Sequence, residues 1–399
     1  SEVRVNNLSN ESLTGGPTLS GITTFSDTSF FVPPSGDTAS RPQSCPPGSL
    51  RFNTDSAKIE YYRGDTTGWV EMEAEDVEIG GGTSSGSIDG KGTRMLFAGG
   101  YTPSSNPNDT FNNVDAITVE TQGNSIDFNN LTANLTGMAN FGDTTRAVAA
   151  GGVGPRSYSP GSTNNQIQFC TFASQGDYAD SGGDLTRTNM FMGCFNNKVR
   201  GVIAGGSLPY SNTIDYVTIQ TLGNAVDYGD LDVLTGYPAG VSSSTRGILL
   251  GGLVVGGSPA SYNTITMFTT SSTGAGTDFG DMSSTRYEMA SGSNATRGIV
   301  AGGYGPNYTN IIEYITMATT GNSRDFGDLT GFNGTGKGGA ASPTRFVLGG
   351  GYGTSPHFMN TIEFVQIATT GNSVDFGDFQ GFGRRVPNQL TNNGGGVSG

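Results

Sequence analysis

The sequence predicts an all-β protein in which a small N-terminal β module precedes six repeated units of four strands each, and three observations carry that reading. Apolar runs are short, four to eight residues, rich in β-branched and aromatic side chains, and bounded by Gly, Asn or Ser. No useful length of chain carries the roughly 3.6-residue period of an amphipathic helix. A strand ending in glycines recurs six times: TRMLFAGG from 93, TRAVAAGG from 145, VRGVIAGG from 199, TRGILLGG from 245, TRGIVAGG from 296 and TRFVLGG from 344. Its arginines, Arg94, Arg146, Arg200, Arg246, Arg297 and Arg345, are spaced by 52, 54, 46, 51 and 48 residues.

The composition is compatible with a packed core. Of 399 residues, 65 are Gly and 17 Pro; adding Gly to the 34% apolar residues brings the apolar share to about half, an ordinary globular value. Net charge is −14, with 34 acids and no basic tract, so nucleic acid and anionic membrane are poor partners. The opening SEVRVNNLSNES has no apolar signal core, and no stretch approaches the ~18 apolar residues of a membrane span. A soluble chain without a visible export signal is expected. Cys45, Cys170 and Cys194 are too few and scattered for a disulfide framework or a four-ligand zinc site and read as free thiols.

Residues 1–45, with Pro33, Pro34 and Pro42, read as an extended segment. Residues 46–75 hold SLRFNT, KIEYY and GWVEM, a three-stranded meander with Phe52, Tyr61, Tyr62 and Trp69 as its expected core. Residues 76–92 are Gly/Ser-rich and read as a linker. Residues 93–399 carry the repeat. In the fifth unit, RGIVAGG is strand B, IIEYITMATT strand C and RDFGDL strand D, while the small-residue run before each Arg, here EMASGSNA, is strand A, closest to a common axis. Units of about fifty residues are propeller-sized. The final LTNNGGGVSG looks like a strand A without its own B, so the C-terminal strand is expected to enter the first unit and remove two free edges.

Double glycines after a hydrophobic strand at this period resemble the kelch family of β-propellers. Tyr314 or Phe364 stands where kelch blades carry a Tyr, but the family's Trp has no counterpart in the repeats, since Trp69 lies outside them. The resemblance implies a six-bladed kelch-like β-propeller. Upstream, GITTFSDTSFFVPPSGDTASRP followed by GSLRFNTDSAKIEYYRGDTTGWVEM resembles N-terminal modules of virion structural proteins of tailed phages, cyanophages in particular. That resemblance implies an attachment module in residues 1–75 that contacts other virion proteins. It also implies a distal domain displayed on the particle and a homo-oligomer within it.

Motifs with catalytic overtones have simpler explanations. D-F-G recurs at 278, 325 and 375, with D-Y-G at 227, which marks a repeated strand end where a kinase needs one such triplet. The second acids, Asp230, Asp281, Asp328 and Asp378, are expected to cap turns and to meet a repeated arginine. Pairs such as Gly302–Gly303 follow a strand but open no helix, so they are turn residues and not a phosphate loop. A single histidine, His357, supports neither a His-rich metal site nor a Ser-His-Asp triad. No catalytic residue, cofactor or metal site is expected.

Binding is expected on one face. The C-to-D turn is a repeated tight TTGN, and A-to-B is short, whereas the B-to-C and D-to-A connections vary. Aromatic residues recur there: Tyr101, Tyr158, Tyr210, Tyr262, Tyr304, Tyr308, Tyr352 and Phe358. Such rings stack on sugars or anchor a protein contact. The expected function is non-enzymatic: host-surface adhesion of the tail-fibre type. The alternatives are a purely architectural capsid, neck or tail decoration, or a glycan-degrading tailspike.

Overall fold

The structure is a computed structural model and describes residues 33–43, 45–55, 58–66, 68–71, 94–102, 109–154, 162–172, 174–254, 261–330, 334–353, 358–381, 383–385 and 388–391. The chain divides into two compact units, Ser1–Glu75 and Asp76–Gly399. Both are built from strands in small, mostly antiparallel sheets, and no helix occurs among the described residues.

In the N-terminal unit, β1 (Ser35–Gly36), β2 (Leu50–Asn53), β3 (Lys58–Tyr62) and β4 (Trp69–Glu71) form one sheet in chain order, with β1 and β2 parallel. The buried side of this sheet is polar, contrary to the aromatic core expected from the sequence. Arg51, Asn53 and Glu60 are buried alongside Tyr62, whereas Phe52, Tyr61 and Trp69 stay partly exposed. Glu60 pairs with Arg41 and accepts a hydrogen bond from Asn53 Nδ2 at 2.5 Å, so its desolvation is offset by charge and hydrogen bonding. These partners hold its carboxyl below the usual range, the Arg41 hydrogen bond contributing most.

The second unit contains six sheets of at least four strands. The fifth is typical: Ala290–Ser293, Arg297–Ala301, Ile311–Thr316 and Arg324–Asp328 lie side by side in that order. They correspond to strands A, B, C and D of the sequence repeat. In the first sheet, strand A is supplied by Asn388–Thr391, which pairs antiparallel with Met95–Ala98. The A strands of consecutive sheets touch one another, and Asn388–Thr391 touches both Gly338–Ala341 and Ala139–Gly142. Small residues are required by that proximity. A Cβ on Gly240 would lie 1.9 Å from the Cys194 carbonyl oxygen of the neighbouring A strand.

Two further devices join neighbouring sheets. Each repeated arginine begins strand B and donates from Nη1 to a main-chain carbonyl just beyond strand C of the next sheet: Arg200 to Ser271 at 2.8 Å, Arg246 to Met317 at 2.9 Å, Arg297 to Ile367 at 2.7 Å. Arg94 and Arg146 do the same toward Phe172 and Gln220. Arg345 of the sixth sheet reaches Val119 of the first at 2.9 Å. Five of these guanidinium groups also lie over an aromatic ring of their own sheet, as Arg200 lies 4.5 Å from the Tyr216 centroid. No ion pair joins Asp230, Asp281, Asp328 or Asp378 to these arginines among the described residues, contrary to the sequence expectation.

The second device explains the Gly-Asn-Ser turn. Gly321 and Ser323 amides donate to the carbonyls of Phe279 and Asp281 on strand D of the preceding sheet, at 2.7 and 2.9 Å. Asn322 Oδ1 accepts from the Asp281 amide at 3.0 Å. The same bonds recur from Gly371, Asn372 and Ser373 to Phe326 and Asp328. They recur again from Gly123, Asn124 and Ser125 to Phe376 and Asp378, so the first sheet covers the outer edge of the sixth as every later sheet covers its predecessor.

Candidate functional site

The double glycine that ends strand B sets the course of the B-to-C connection. Gly302 and Gly303 hold φ of +66° and +100°, which turns the chain sharply and carries Tyr304 and Tyr308 onto the end of the sheet. Corresponding turns place Tyr101 in the first sheet and Tyr352 and Phe358 in the sixth.

These side chains meet. Ring centroids are 5.8 Å apart for Tyr101–Phe358, 5.2 Å for Phe358–Tyr352, 6.5 Å for Tyr352–Tyr308 and 5.0 Å for Tyr308–Tyr304. The row continues through residues that the sequence pattern did not single out: Tyr304–Tyr287 at 5.6 Å, Tyr287–Tyr237 at 5.8 Å and Tyr237–Phe191, stacked at 4.5 Å. Eight rings thus form one belt drawn from the B-to-C connections of three sheets and the D-to-A connections of three others. All but Phe191 are half-buried. Most contacts are tilted or edge-to-face, the favoured geometry for paired quadrupoles.

The remaining candidates lie off the belt. Tyr210 packs over Gly236, where an added Cβ would come within 3.0 Å of the ring. Tyr262 lines a separate cavity between the third and fourth sheets. Tyr158 lies outside the described residues, as does His357.

Charge enters the belt at one point. Arg385 lies 5.5 Å from the Tyr352 centroid and donates from Nη2 to both oxygens of Glu288, at 2.8 and 2.7 Å. Thr335 Oγ1 donates to the same carboxylate at 2.6 Å. Beside this pair, a cavity of about 100 Å³ opens where five A strands begin, and Met138, Met192, Met289, Phe191, Tyr237 and Glu288 contribute to its wall. Methionine and aromatic side chains make this an adaptable, largely apolar recess with one carboxylate on its margin. Burial pushes the Tyr237 hydroxyl well above the ordinary phenol range, so it stays a neutral donor.

Other ionisable groups form a repeated framework that sequence inspection missed. The third residue of strand C is an acid in three sheets, Asp115 holds the same register in the longer strand C of the first, and a base from the preceding D-to-A connection sinks toward each. Arg384 pairs with Asp115, Arg286 with Glu313, and Lys337 with Glu363 at 3.4 Å, all nearly inaccessible. Arg187 occupies the same place beside Asp215, whose carboxyl accepts from Thr186 Oγ1 at 2.7 Å. Burial raises the carboxyls of Asp115 and Asp215 and lowers the cations of Lys337 and Arg384; it brings Arg286 down to about 10. The partner charges oppose the shift for Asp115, Asp215, Lys337 and Arg384. Such pairs fix the packing of one sheet on the next.

Among the described residues, no group of three or more His, Cys, Asp or Glu side chains is placed to hold a metal ion. No helix among them is long and apolar enough to cross a membrane. No family model matches this chain, and no curated protein does either.

Proposed function

We propose that the six sheets are the blades of a closed kelch-like propeller, and that the chain is a phage virion protein. In this reading, residues 1–75 attach it to the particle and the propeller presents its aromatic belt to the host surface. Closure is supported by the seam between the sixth and first sheets, which repeats the arginine and turn contacts found between other sheets and the ion pair found in the two preceding seams. Attachment is supported by the N-terminal sheet: its polar side is buried around the Glu60 carboxylate, while Leu50 (51% exposed) and Ile59 (43%) present apolar surface on the other. In the particle the protein is a repeated, homo-oligomeric component, as symmetric assemblies require.

The observation that carries adhesion is the belt itself. Eight contiguous aromatic rings beside a Met-lined recess and a single ion pair are suited to the apolar faces of sugars or to a protein loop. The chain acts without catalysis. Its deeply buried acids in the sheets face their own bases or hydroxyls, which supports a framework role over the paired carboxylates of a depolymerase.

A second reading, purely architectural decoration, is favoured by one feature: each ring spends part of its surface on its neighbours, so the belt also serves to lock the connections together. Binding of the full chain to host cells separates the two. Adhesion predicts saturable binding that is lost when Tyr304 and Tyr352 are both replaced by Ala in a variant that keeps its melting temperature. Absence of binding at about micromolar protein, the range of a moderate-affinity complex, leaves the architectural role. The position of the chain in a density map of whole particles tests the virion assignment itself.

A further inference from the structure

The seam between the third and fourth sheets departs from the two that flank it in a way that leaves a cavity. In the seam between the fourth and fifth sheets, Arg286 donates from Nη1 to the carbonyls of Gly302 and Ile311, at 3.1 and 3.3 Å, and pairs with Glu313. Between the second and third sheets, Arg187 donates from Nη2 to Gly205 and Thr213, both at 3.0 Å. One guanidinium thus spans the two carbonyls in each case.

Strand register identifies the counterparts in the fourth sheet. Thr264 pairs with Asp281 as Ile311 pairs with Asp328, and Thr266 pairs with Asp278 as Glu313 pairs with Asp325. Gly251 ends the fourth B strand with φ +60°, as Gly302 ends the fifth with +66°. Counting from the end of strand D, Asp230 corresponds to Asp281 and Thr235 to Arg286. Thr235, Gly251, Thr264 and Thr266 all line a cavity of about 190 Å³. The small Thr235 leaves the space that an arginine fills next door.

The carboxylate of this seam has moved. Asp232 stands where Thr186, Ser283 and Thr330 contact the strand C acid in other seams, and Thr266 stands where that acid would be. Acid and hydroxyl have exchanged places, so two aspartates, Asp230 and Asp232, border the same space as Gly251 and the threonines Thr235, Thr264 and Thr266. Leu249 and Phe268, both buried, supply an apolar wall, whereas Asp232 and Val233 are exposed, so the cavity opens to solvent.

We propose that this cavity receives an alkylguanidinium group from outside the chain. Its acceptors reproduce those that hold Arg187 and Arg286, Asp232 supplies the charge, and the apolar wall takes the alkyl stem. Both an arginine side chain of a partner protein and a free alkylguanidine carry this chemistry.

The test titrates the full chain with n-propylguanidinium, with the neutral isostere n-propylurea as control, following both saturation-transfer NMR and melting temperature. Binding in about the millimolar range is expected for the guanidinium, and at least about tenfold weaker binding for the urea, since charge assistance roughly doubles the strength of each hydrogen bond. Asp232→Asn, an exposed and structurally mild change, should weaken binding by a similar factor. The double variant T235R/T266E, which rebuilds the internal pair, should abolish it while remaining folded. A short peptide with a central arginine distinguishes the sources: tighter binding than n-propylguanidinium points to a partner protein, equal binding to a free alkylguanidine. Equal affinity for the urea, or binding indifferent to both Asp232→Asn and T235R/T266E, overturns the proposal, as does no detectable binding at about ten times the expected dissociation constant.

Discussion

Arg345 Nη1 donates to the carbonyl of Val119 at 2.9 Å, a bond between residues 226 positions apart. Its guanidinium also lies 4.9 Å from the Phe364 ring centroid, so one side chain is held by its own sheet and grips the first. Replacing it by Met keeps the stem and removes bond and charge. The expected loss is about 1–2 kcal/mol, from one hydrogen bond to a charged donor and one partly exposed cation–π contact. Arg297→Met removes the same contacts at the seam between the fifth and sixth sheets, where Arg297 reaches Ile367. Urea unfolding should therefore give similar losses for both. A neutral Arg345→Met beside a costly Arg297→Met means that the last seam bears no load.

Residues Asn388–Thr391 complete the first sheet beside Met95–Ala98. Deleting 388–399 exposes the Arg94–Thr102 strand as a free edge, which is an invitation to intermolecular pairing. The truncated chain should lose its single elution peak in size-exclusion chromatography and melt at lower temperature. An unchanged melting curve contradicts a structural role for this strand.

Much of the repeat was legible because its signals are local. Arg200 and the glycine pair Gly205–Gly206 sit at a fixed offset, and the Tyr228-Gly229-Asp230 run recurs, with Phe for Tyr, once in each later unit in the same order, so the repeat exposes them. The belt was half legible for the same reason. Tyr304 and Tyr352 follow a double glycine, but Phe191, Tyr237 and Tyr287 lie in D-to-A connections, where no double glycine marks them. They can be found only as aromatics shortly before each small-residue A strand. The ion pairs were hidden because each spans two units: Arg286 belongs to the connection after one strand D and Glu313 to strand C of the next sheet. In the N-terminal sheet, alternation in KIEYY leaves open which side is buried. Arg41 and Arg51 decide it by making Glu60 the cheaper residue to enclose.

Lys337 and Glu363 are both nearly inaccessible, with Nζ to Oε2 at 3.4 Å. Lys337→Met leaves a buried carboxylate without its cation, at a cost of about 3–5 kcal/mol. Replacing both partners, K337M/E363L, removes the stranded charge and should recover most of that loss. Thermal and urea unfolding of the two singles and the double measure the coupling directly. A double variant as unstable as Lys337→Met alone assigns the loss to shape and not to charge.

Cys170 lies in the core cluster of the first and second sheets, 3% exposed, and burial pushes its thiol up to about 11 from the usual 9.0. In the unfolded chain the thiol ionises near its ordinary value, while the folded chain keeps it protonated. The folded state therefore binds the extra proton, so stability contributed by this group is complete below pH 9 and is lost as pH rises through about 11. A shift of about two units corresponds to roughly 2–3 kcal/mol over that window. Cys170→Ala should flatten the decline of melting temperature between about pH 9 and pH 11, despite lowering stability slightly at pH 7 through the lost packing. Alkylation supplies an independent check on the same residue: iodoacetamide at neutral pH should leave Cys170 unmodified in the folded chain and modify it once urea unfolds the sheets. Rapid modification of native protein contradicts the burial on which the pH dependence rests.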